Sequence, residues 1–348
     1  MSAPGEVLDL LVVGAGPTGI AVGAEARRAG LTTLVVDRGA LTQNLLDFPT
    51  FMTFFTTREL LEIAGIPFAI PEEKPDRRQA LAYYRAVAAH YRLPLALHEE
   101  VLAARRHGDL FRVHIRRGGE ERERAARAVV LATGYFGQPK RLGVQGEDGA
   151  GVRHRYRDPY PHFGEAVIVV GGGNSAAEAS LDLWRGGARV TLVHRGAGLK
   201  ETVKYWLKPD LENRIAEGAI AARFDSRVVA FGDGGVEIER QGTRERLAAD
   251  AVYVLIGYLP DAALEERCGV HVDPQTLVPA CDPESCESNV PGLYIAGTLQ
   301  AGRDTGRIFI ENSRDHGVKI VRHLRARLGS PAVRALHEPP DAAALGSS

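Results

Sequence analysis

The chain has 348 residues, 45% of them hydrophobic and 25% charged, with a formal net charge of −1. That length favours two domains and that composition an ordinary globular protein. Near-neutral charge gives no pull toward nucleic acid or an anionic membrane, and three cysteines (Cys268, Cys281 and Cys286) are too few for a disulfide scaffold.

The first organised stretch is residues 11–37. An apolar run ends in Gly14-Ala15-Gly16-Pro17-Thr18-Gly19, a helix-like segment follows, and a second apolar run closes on Asp37-Arg38. Strand, glycine turn, helix, strand and acid in this order form the fingerprint of a dinucleotide-binding βαβ unit. Gly14 permits the tight turn, Gly16 admits a pyrophosphate to the backbone, and Gly19 lets the helix lie close on the sheet. The helix N-terminus offers free N–H groups to the phosphates, and Asp37 can accept from an adenosine ribose. Flavoproteins with two dinucleotide sites carry their FAD fingerprint at such an N-terminal position.

Residues 40–70 are aromatic and irregular, with Phe48, Phe51, Phe54 and Phe55 interleaved with Thr50, Thr53, Thr56 and Thr57. They read either as a core-packing loop or as a wall of a cofactor pocket. A helix is expected over 76–91, where Leu81, Tyr84 and Ala88 recur at helical spacing. A three-stranded meander is expected over 100–134, on the alternation of Phe111, Val113 and Ile115 and the turn at Gly118-Gly119. It closes with a buried strand ending in Thr133-Gly134.

The plan then restarts. An apolar strand at 166–170 runs into Gly171-Gly172-Gly173-Asn174-Ser175-Ala176, then a helix, then a strand closing on His194-Arg195. Ala176 is the small-residue variant that the third glycine position allows. Where the first fingerprint has an acid, this one has a cation, which suits the 2′-phosphate of NADP rather than the bare ribose of NAD. Lys200 can add to that charge; a merely solvated Arg195 is the competing reading. A helical stretch around 200–216, a second meander and a strand ending in Gly257 complete a repeat of the first block. A last short strand ends in Gly297, and a helix runs to about residue 328.

The expected organisation is therefore α/β: two dinucleotide-binding Rossmann-like domains, for FAD and NADPH, each with a β-meander. The FAD-binding domain would comprise 1–140 and 262–330, with the NADPH-binding domain, 141–261, inserted in it. Residues 331–348, rich in Pro and Ala, are expected to lack fixed structure. The opening MSAPGEVLD has neither a basic nor a long apolar segment, so a cytoplasmic location is expected. Eleven histidines are scattered without ligand spacing, so no metal site is expected.

The two fingerprints, the Thr-Gly strand and Val290-Pro291-Gly292-Leu293-Tyr294-Ile295-Ala296-Gly297 resemble the thioredoxin-reductase-like flavoproteins. More narrowly, the chain resembles the bacillithiol-disulfide reductase family. The carrying residues include Pro49-Thr50, Thr53-Phe54-Phe55, Lys74-Pro75, Tyr83-Tyr84-Arg85, Ala132-Thr133-Gly134-Tyr135 and Ile308-Phe309-Ile310-Glu311-Asn312. The resemblance implies FAD, NADPH and hydride transfer between them. It implies that Gly14, Gly16, Pro17, Thr18, Gly19, Asp37, Arg38, Thr53, Phe54, Thr133, Gly134 and Gly297 hold FAD, with a helix start near Ile308 at the flavin edge. It likewise implies that Gly171, Gly173, Asn174, Ser175, Ala176, His194, Arg195 and Gly257 hold NADPH.

Two departures stand out. The redox Cys-x-x-Cys pair of thioredoxin reductases is missing, and Thr18 stands where the narrower family has a cysteine. A hydroxyl does not attack a disulfide as a thiolate does. The leading expectation is an NADPH-dependent FAD oxidoreductase whose acceptor is a small molecule, such as a low-molecular-weight disulfide, or a small redox protein. The chain itself is expected to form a homo-oligomer. A flavin monooxygenase is the alternative, because residues 152–164, with His154, Tyr156, Pro159 and Phe163, resemble the linker of such enzymes. A non-catalytic FAD and NADP(H) sensor is the other.

Overall fold

A computed structural model of the chain describes residues 7–149, 151–232 and 234–329. The tail expected at 331–348 lies outside the described residues.

The first unit is built on a seven-stranded sheet. Its strand Leu8–Val13 is apolar except for Asp9 and lies between Thr33–Asp37 and Glu120–Leu131, parallel to both. The continuous apolar run at residues 10–13 is what a sheet covered on both faces demands. Leu95–Leu97 extends one side, and Leu293–Ile295 adds a last parallel strand against Glu120–Leu131. Glu120–Leu131 serves two structures at once. Its first half pairs antiparallel with Leu110–Arg117, which pairs in turn with Glu100–His107; its second half joins the parallel layer. The expected meander and closing strand are thus one continuous element.

One face of this sheet carries the helix Pro17–Arg28, against which the final helix, His316–Leu328, lies. A Cβ on Gly317 would come within 3.1 Å of the Ala21 carbonyl oxygen, so a glycine allows the two helices to approach. The helix expected at 76–91 is found as Arg77–His90. Asp76 accepts from the Gln79 N–H and the Gln79 side chain answers to the Asp76 N–H, a reciprocal pair that sets the helix start.

The second unit repeats the plan on a five-stranded parallel sheet. Its order is Ala221–Arg223, Arg189–Val193, Ala166–Val170, Ala251–Val254 and Val152–Arg153. Here the meander (Arg227–Gly232, Gly235–Arg240, Thr243–Ala248) is a separate sheet. The chain breaks at Asp250, whose carboxylate accepts from the Ala166 N–H at 2.7 Å while its own N–H donates to the Ala166 carbonyl at 2.8 Å. The helix expected around 200–216 starts only at Lys208. Residues before it are held in turns by Asn174, which donates to the Thr202 carbonyl and accepts from the Lys204 N–H.

The chain enters the second unit through Gln138–Pro139 and leaves it through Tyr258–Leu259, and these two crossings pair antiparallel with each other. The architecture is therefore two Rossmann-like units, the second inserted in the first.

Candidate functional site

The two glycine turns have the same build. Gly14 has φ +108°, and a Cβ there would lie 2.4 Å from the Ala132 carbonyl oxygen. Gly171 has φ +152°, and its Cβ would lie 2.4 Å from the Leu255 carbonyl oxygen. In each unit the end of the closing strand therefore presses on the first glycine, which only glycine accommodates. Gly19 performs the packing expected of it, since its Cβ would fall 1.8 Å from the Gly14 carbonyl oxygen. Ala176 does the same in the second unit with its own methyl, fully buried and close to where a Gly171 Cβ would be.

The middle glycines are different. A Cβ on Gly16 or Gly173 would meet no protein atom within 4 Å. Both residues cap a helix, Pro17–Arg28 and Asn174–Arg185, and neither helix has a side-chain cap or an acidic residue in its first turn. Each cradle therefore presents uncapped N–H groups and a positive dipole end to open space, the condition for holding a pyrophosphate. The residues present fit a dinucleotide in both places.

The ends of the two second strands differ in charge. The Asp37 carboxylate accepts from the Ala15 N–H and the Gly39 N–H, both at 2.7 Å, and so is aimed across the turn. Each of its oxygens keeps a further acceptor site for a ribose hydroxyl. In the second unit the His194 ring lies over Gly172, where a Cβ would come within 2.4 Å of it. Burial pushes the His194 pKa below its usual value, with Lys200 and Arg195 adding to the effect, so the ring is neutral. Arg195 and Lys200 are exposed, and among the described residues neither has an ion-pair partner. Lys140, which sequence reasoning passed over, reaches Gly257: a Cβ there would be 3.9 Å from Nζ. Burial lowers the Lys140 pKa first, and the charges of Lys200 and Arg303 lower it further. The signal for Lys140 was its place in the crossing beside Gly257, which only the pairing of Gln138–Pro139 with Tyr258–Leu259 reveals.

Asn174 and Ser175 open the second fingerprint helix, Asn174 with its side chain engaged to residues 202 and 204 and Ser175 exposed. Around the first cradle, Gly134 (φ +70°) stands near Asn44 and Thr298, and Arg38 reaches Gly137. Thr18 packs against Gly297 (φ +75°), whose Cβ would lie 2.9 Å from Thr18 Oγ1. Thr18 Oγ1 is also 3.3 Å from Ser313 Oγ. Ser313 donates to the Phe309 carbonyl at 2.6 Å, so Thr18 is the donor in that contact. The Gly297 N–H donates to His316 Nδ1 at 3.1 Å, and burial lowers the His316 pKa, consistent with a neutral ring that accepts. Asn44, Thr298 and Ser313 have no sequence signature; they meet the first cradle only because distant segments converge there.

The aromatic stretch divides. Phe54 is buried in the core, whereas Phe51 and Phe55 are exposed and meet Tyr160 and Trp206 of the second unit. Thr53 is exposed and bridges Asp76. The expected helix start near Ile308 is not found: residues 303–315 form turns, and the helix begins at His316. Asn312 bonds the Phe309 N–H and the Arg307 carbonyl, and Ser313 takes the Phe309 carbonyl, so local side chains replace the helical ladder. The linker residues have structural duties: Tyr156 bonds Asp182 at 2.5 Å, and Phe163 covers Gly187.

Of the three thiols, Cys268 and Cys286 are buried and Cys281 is half-buried. Cys268 accepts from the Ala104 N–H and burial pushes its pKa up to about 11; burial likewise raises Cys281 to about 11 and Cys286 above its usual value.

Residues 11–297 match the family described as pyridine nucleotide-disulphide oxidoreductase. The chain is 33% identical over 320 residues to the bacilliredoxin reductase Bdr of Bacillus subtilis, covering 91% of this chain and 97% of that one. The structure of the bacillithiol disulfide reductase Bdr from Bacillus cereus superposes with a TM-score of 0.90 at 32% identity, covering 92% and 100%. The chain belongs to the bacillithiol-disulfide reductase branch of the pyridine nucleotide-disulphide oxidoreductases. It is also 28% identical over 316 residues to the thioredoxin reductase of Treponema pallidum, covering 84% and 89%. It is an oxidoreductase of the flavoprotein reductase type, with FAD and NAD(P)H as its cofactors.

The two kinds of glycine give opposite expectations. Gly19→Ala should destabilise the protein and abolish FAD retention, because a backbone carbonyl stands where the methyl must go. Gly16→Ala should leave the stability of the flavin-free protein within about 0.5 kcal/mol while weakening FAD retention. Urea unfolding of flavin-free protein and FAD titration measure both; equal stability loss in the two variants would refute the assignment.

His316 gives a pH expectation. The unfolded chain takes up a proton at the ordinary value near 6.5 and the folded chain resists it. The stabilisation is therefore present above about pH 6.5 and lost as pH falls below it. The stability advantage of the native protein over His316→Gln should shrink between about pH 7.5 and about pH 5.5; an unchanged advantage would contradict a neutral ring.

Proposed function

We propose that this chain is an NADPH-dependent FAD reductase that passes electrons to a low-molecular-weight disulfide, bacillithiol disulfide being the nearest in kind. The observation that carries this reading is the contrast between the two cradles. One closes on Asp37, suited to an adenosine ribose, and the other on the exposed cations Arg195 and Lys200, suited to a 2′-phosphate. Residues 1–140 and 262–330 form the FAD-binding domain and 141–261 the NADPH-binding domain, in a cytoplasmic enzyme.

When bound, NADPH supplies a hydride and FAD accepts and returns it as an electron pair; the acceptor's S–S bond takes two electrons and two protons, and two thiols leave. The protein's part is to bind, orient and exclude. The cradle of Gly14, Gly16, Pro17 and Thr18 takes the FAD pyrophosphate on the helix N-terminus, and Asp37 and Arg38 take the adenosine side. Thr133, Gly134 and Gly297 would line the flavin, with Thr53 and Ile308 at its rim. Gly171, Gly173, Asn174, Ser175 and Ala176 hold the second dinucleotide, with His194, Arg195 and Gly257 at its ends.

Support for a route without a cysteine relay comes from the chain's own groups. Thr18 donates to Ser313, and His316 Nδ1 is committed to Gly297, so neither of these groups acts as a base on that hydroxyl. All three thiols are held protonated at neutral pH by burial, which removes the nucleophilic form.

Rapid mixing of the holoenzyme with NADPH should bleach the flavin, and a panel of disulfides, quinones and ferredoxin should single out a disulfide. Full turnover with quinone or ferredoxin but none with any disulfide would overturn the acceptor assignment. Thr18→Cys should not raise disulfide turnover if electrons pass without a thiol. Arg195→Ala should raise KM for NADPH roughly tenfold or more and leave KM for NADH nearly unchanged; an equal change for both nucleotides would contradict the 2′-phosphate role.

A further inference from the structure

Lys204 is 8% exposed, and its neighbours come from both units. Within the second unit its N–H donates to Asn174 Oδ1 at 2.8 Å, and its ammonium pairs with Glu178, one turn along the helix that Asn174 opens. Across the boundary the same ammonium donates to the Thr53 carbonyl at 3.1 Å. Thr53 bridges to Asp76, the cap of the helix Arg77–His90, and the Phe54 N–H donates to the Pro75 carbonyl at 2.9 Å. A continuous set of bonds thus runs from the first residue of the second fingerprint helix, through Lys204, to the aromatic segment at 51–55 of the first unit. Beside it Trp206 stacks on Phe55 at 5.6 Å, and Lys74 stands 4.1 Å above the Trp206 ring.

A buried ion pair adds little stability, because desolvating both charges offsets their attraction. An exposed pair would hold the loop as well. Burial of this one gives a directional bond from a charged donor to a carbonyl in the other unit, which fixes the register of one unit on the other.

We propose that Lys204 is a positioning residue for hydride transfer: it fastens the loop carried by Asn174 to the 50–55 wall, and so holds the reacting ends of the two dinucleotides at a fixed separation. The proposal rests on the two-cofactor reading given above. Lys204 touches neither cofactor in this account and acts through Asn174 and Thr53.

The test compares Lys204→Met with the double variant Lys204→Met/Glu178→Met in the full-length, FAD-loaded protein. Met at 204 alone leaves Glu178 half-buried without its partner and should lower the melting temperature; the double variant removes both charges and should recover it. NADPH-driven flavin reduction in a stopped-flow instrument should slow about tenfold or more in both variants, with KM for NADPH little changed. Hydrogen exchange over 50–55 and 202–207 should quicken in both, with and without FAD. A wild-type reduction rate in either variant overturns the proposal, as does unchanged exchange over 50–55. If wild-type protein itself shows no flavin reduction by NADPH, the two-cofactor reading falls; the exchange arm still decides whether Lys204 joins the units.

Discussion

The structure depends on two backbone collisions that glycine prevents. The carbonyls of Ala132 and Leu255, at the ends of the closing strands, come so near Gly14 and Gly171 that no side chain fits. That closeness aligns strand, turn and helix in each unit, and it sets the helix N-terminus at the edge of the sheet where strand ends open a crevice. Positions two residues along, Gly16 and Gly173, are open because the turn has bent away from the protein there. A cradle for phosphate is thus the geometric by-product of a tight strand-to-helix turn, made twice in one chain.

The two copies have been differentiated at their rims rather than at their centres. Asp37 is pinned by two backbone amides, so its orientation is already set. Arg195 and Lys200 are exposed, and among the described residues neither has an ion-pair partner to hold it in one orientation. The first arrangement suits a cofactor that stays bound, and the second suits one that arrives and leaves with each turnover.

The sheets, the repeat and the fingerprint turns could be read from sequence because each rests on local pattern. Apolar runs, alternation at Phe111, Val113 and Ile115, and the glycine spacing all act within a few residues. What escaped was decided by side chains bonding to backbone, at long range for Asn174 and locally for Asn312 and Ser313. Asn174 holds residues 202 and 204 in turns, so the helix begins later than its periodicity implies. Asn312 and Ser313 take the carbonyls and amides that a helix through Ile308 would need. Among the groups lining the first cradle, Ser313, Asn44 and Thr298 are ordinary polar residues whose positions exist only in the folded chain. The aromatic run at 48–55 was ambiguous for the same reason: Phe54 faces the core, while Phe51 and Phe55 find partners in the other unit.

The pairing of Gln138–Pro139 with Tyr258–Leu259 has a consequence for how the chain assembles. The strand Leu293–Ile295 must find Glu120–Leu131 across the whole inserted unit, a closure that is entropically costly for an open chain. Once the insert has folded, its two ends are neighbours, and the intervening chain behaves as a short hairpin. A folded insert therefore shortens the loop that the sheet of the first unit must close.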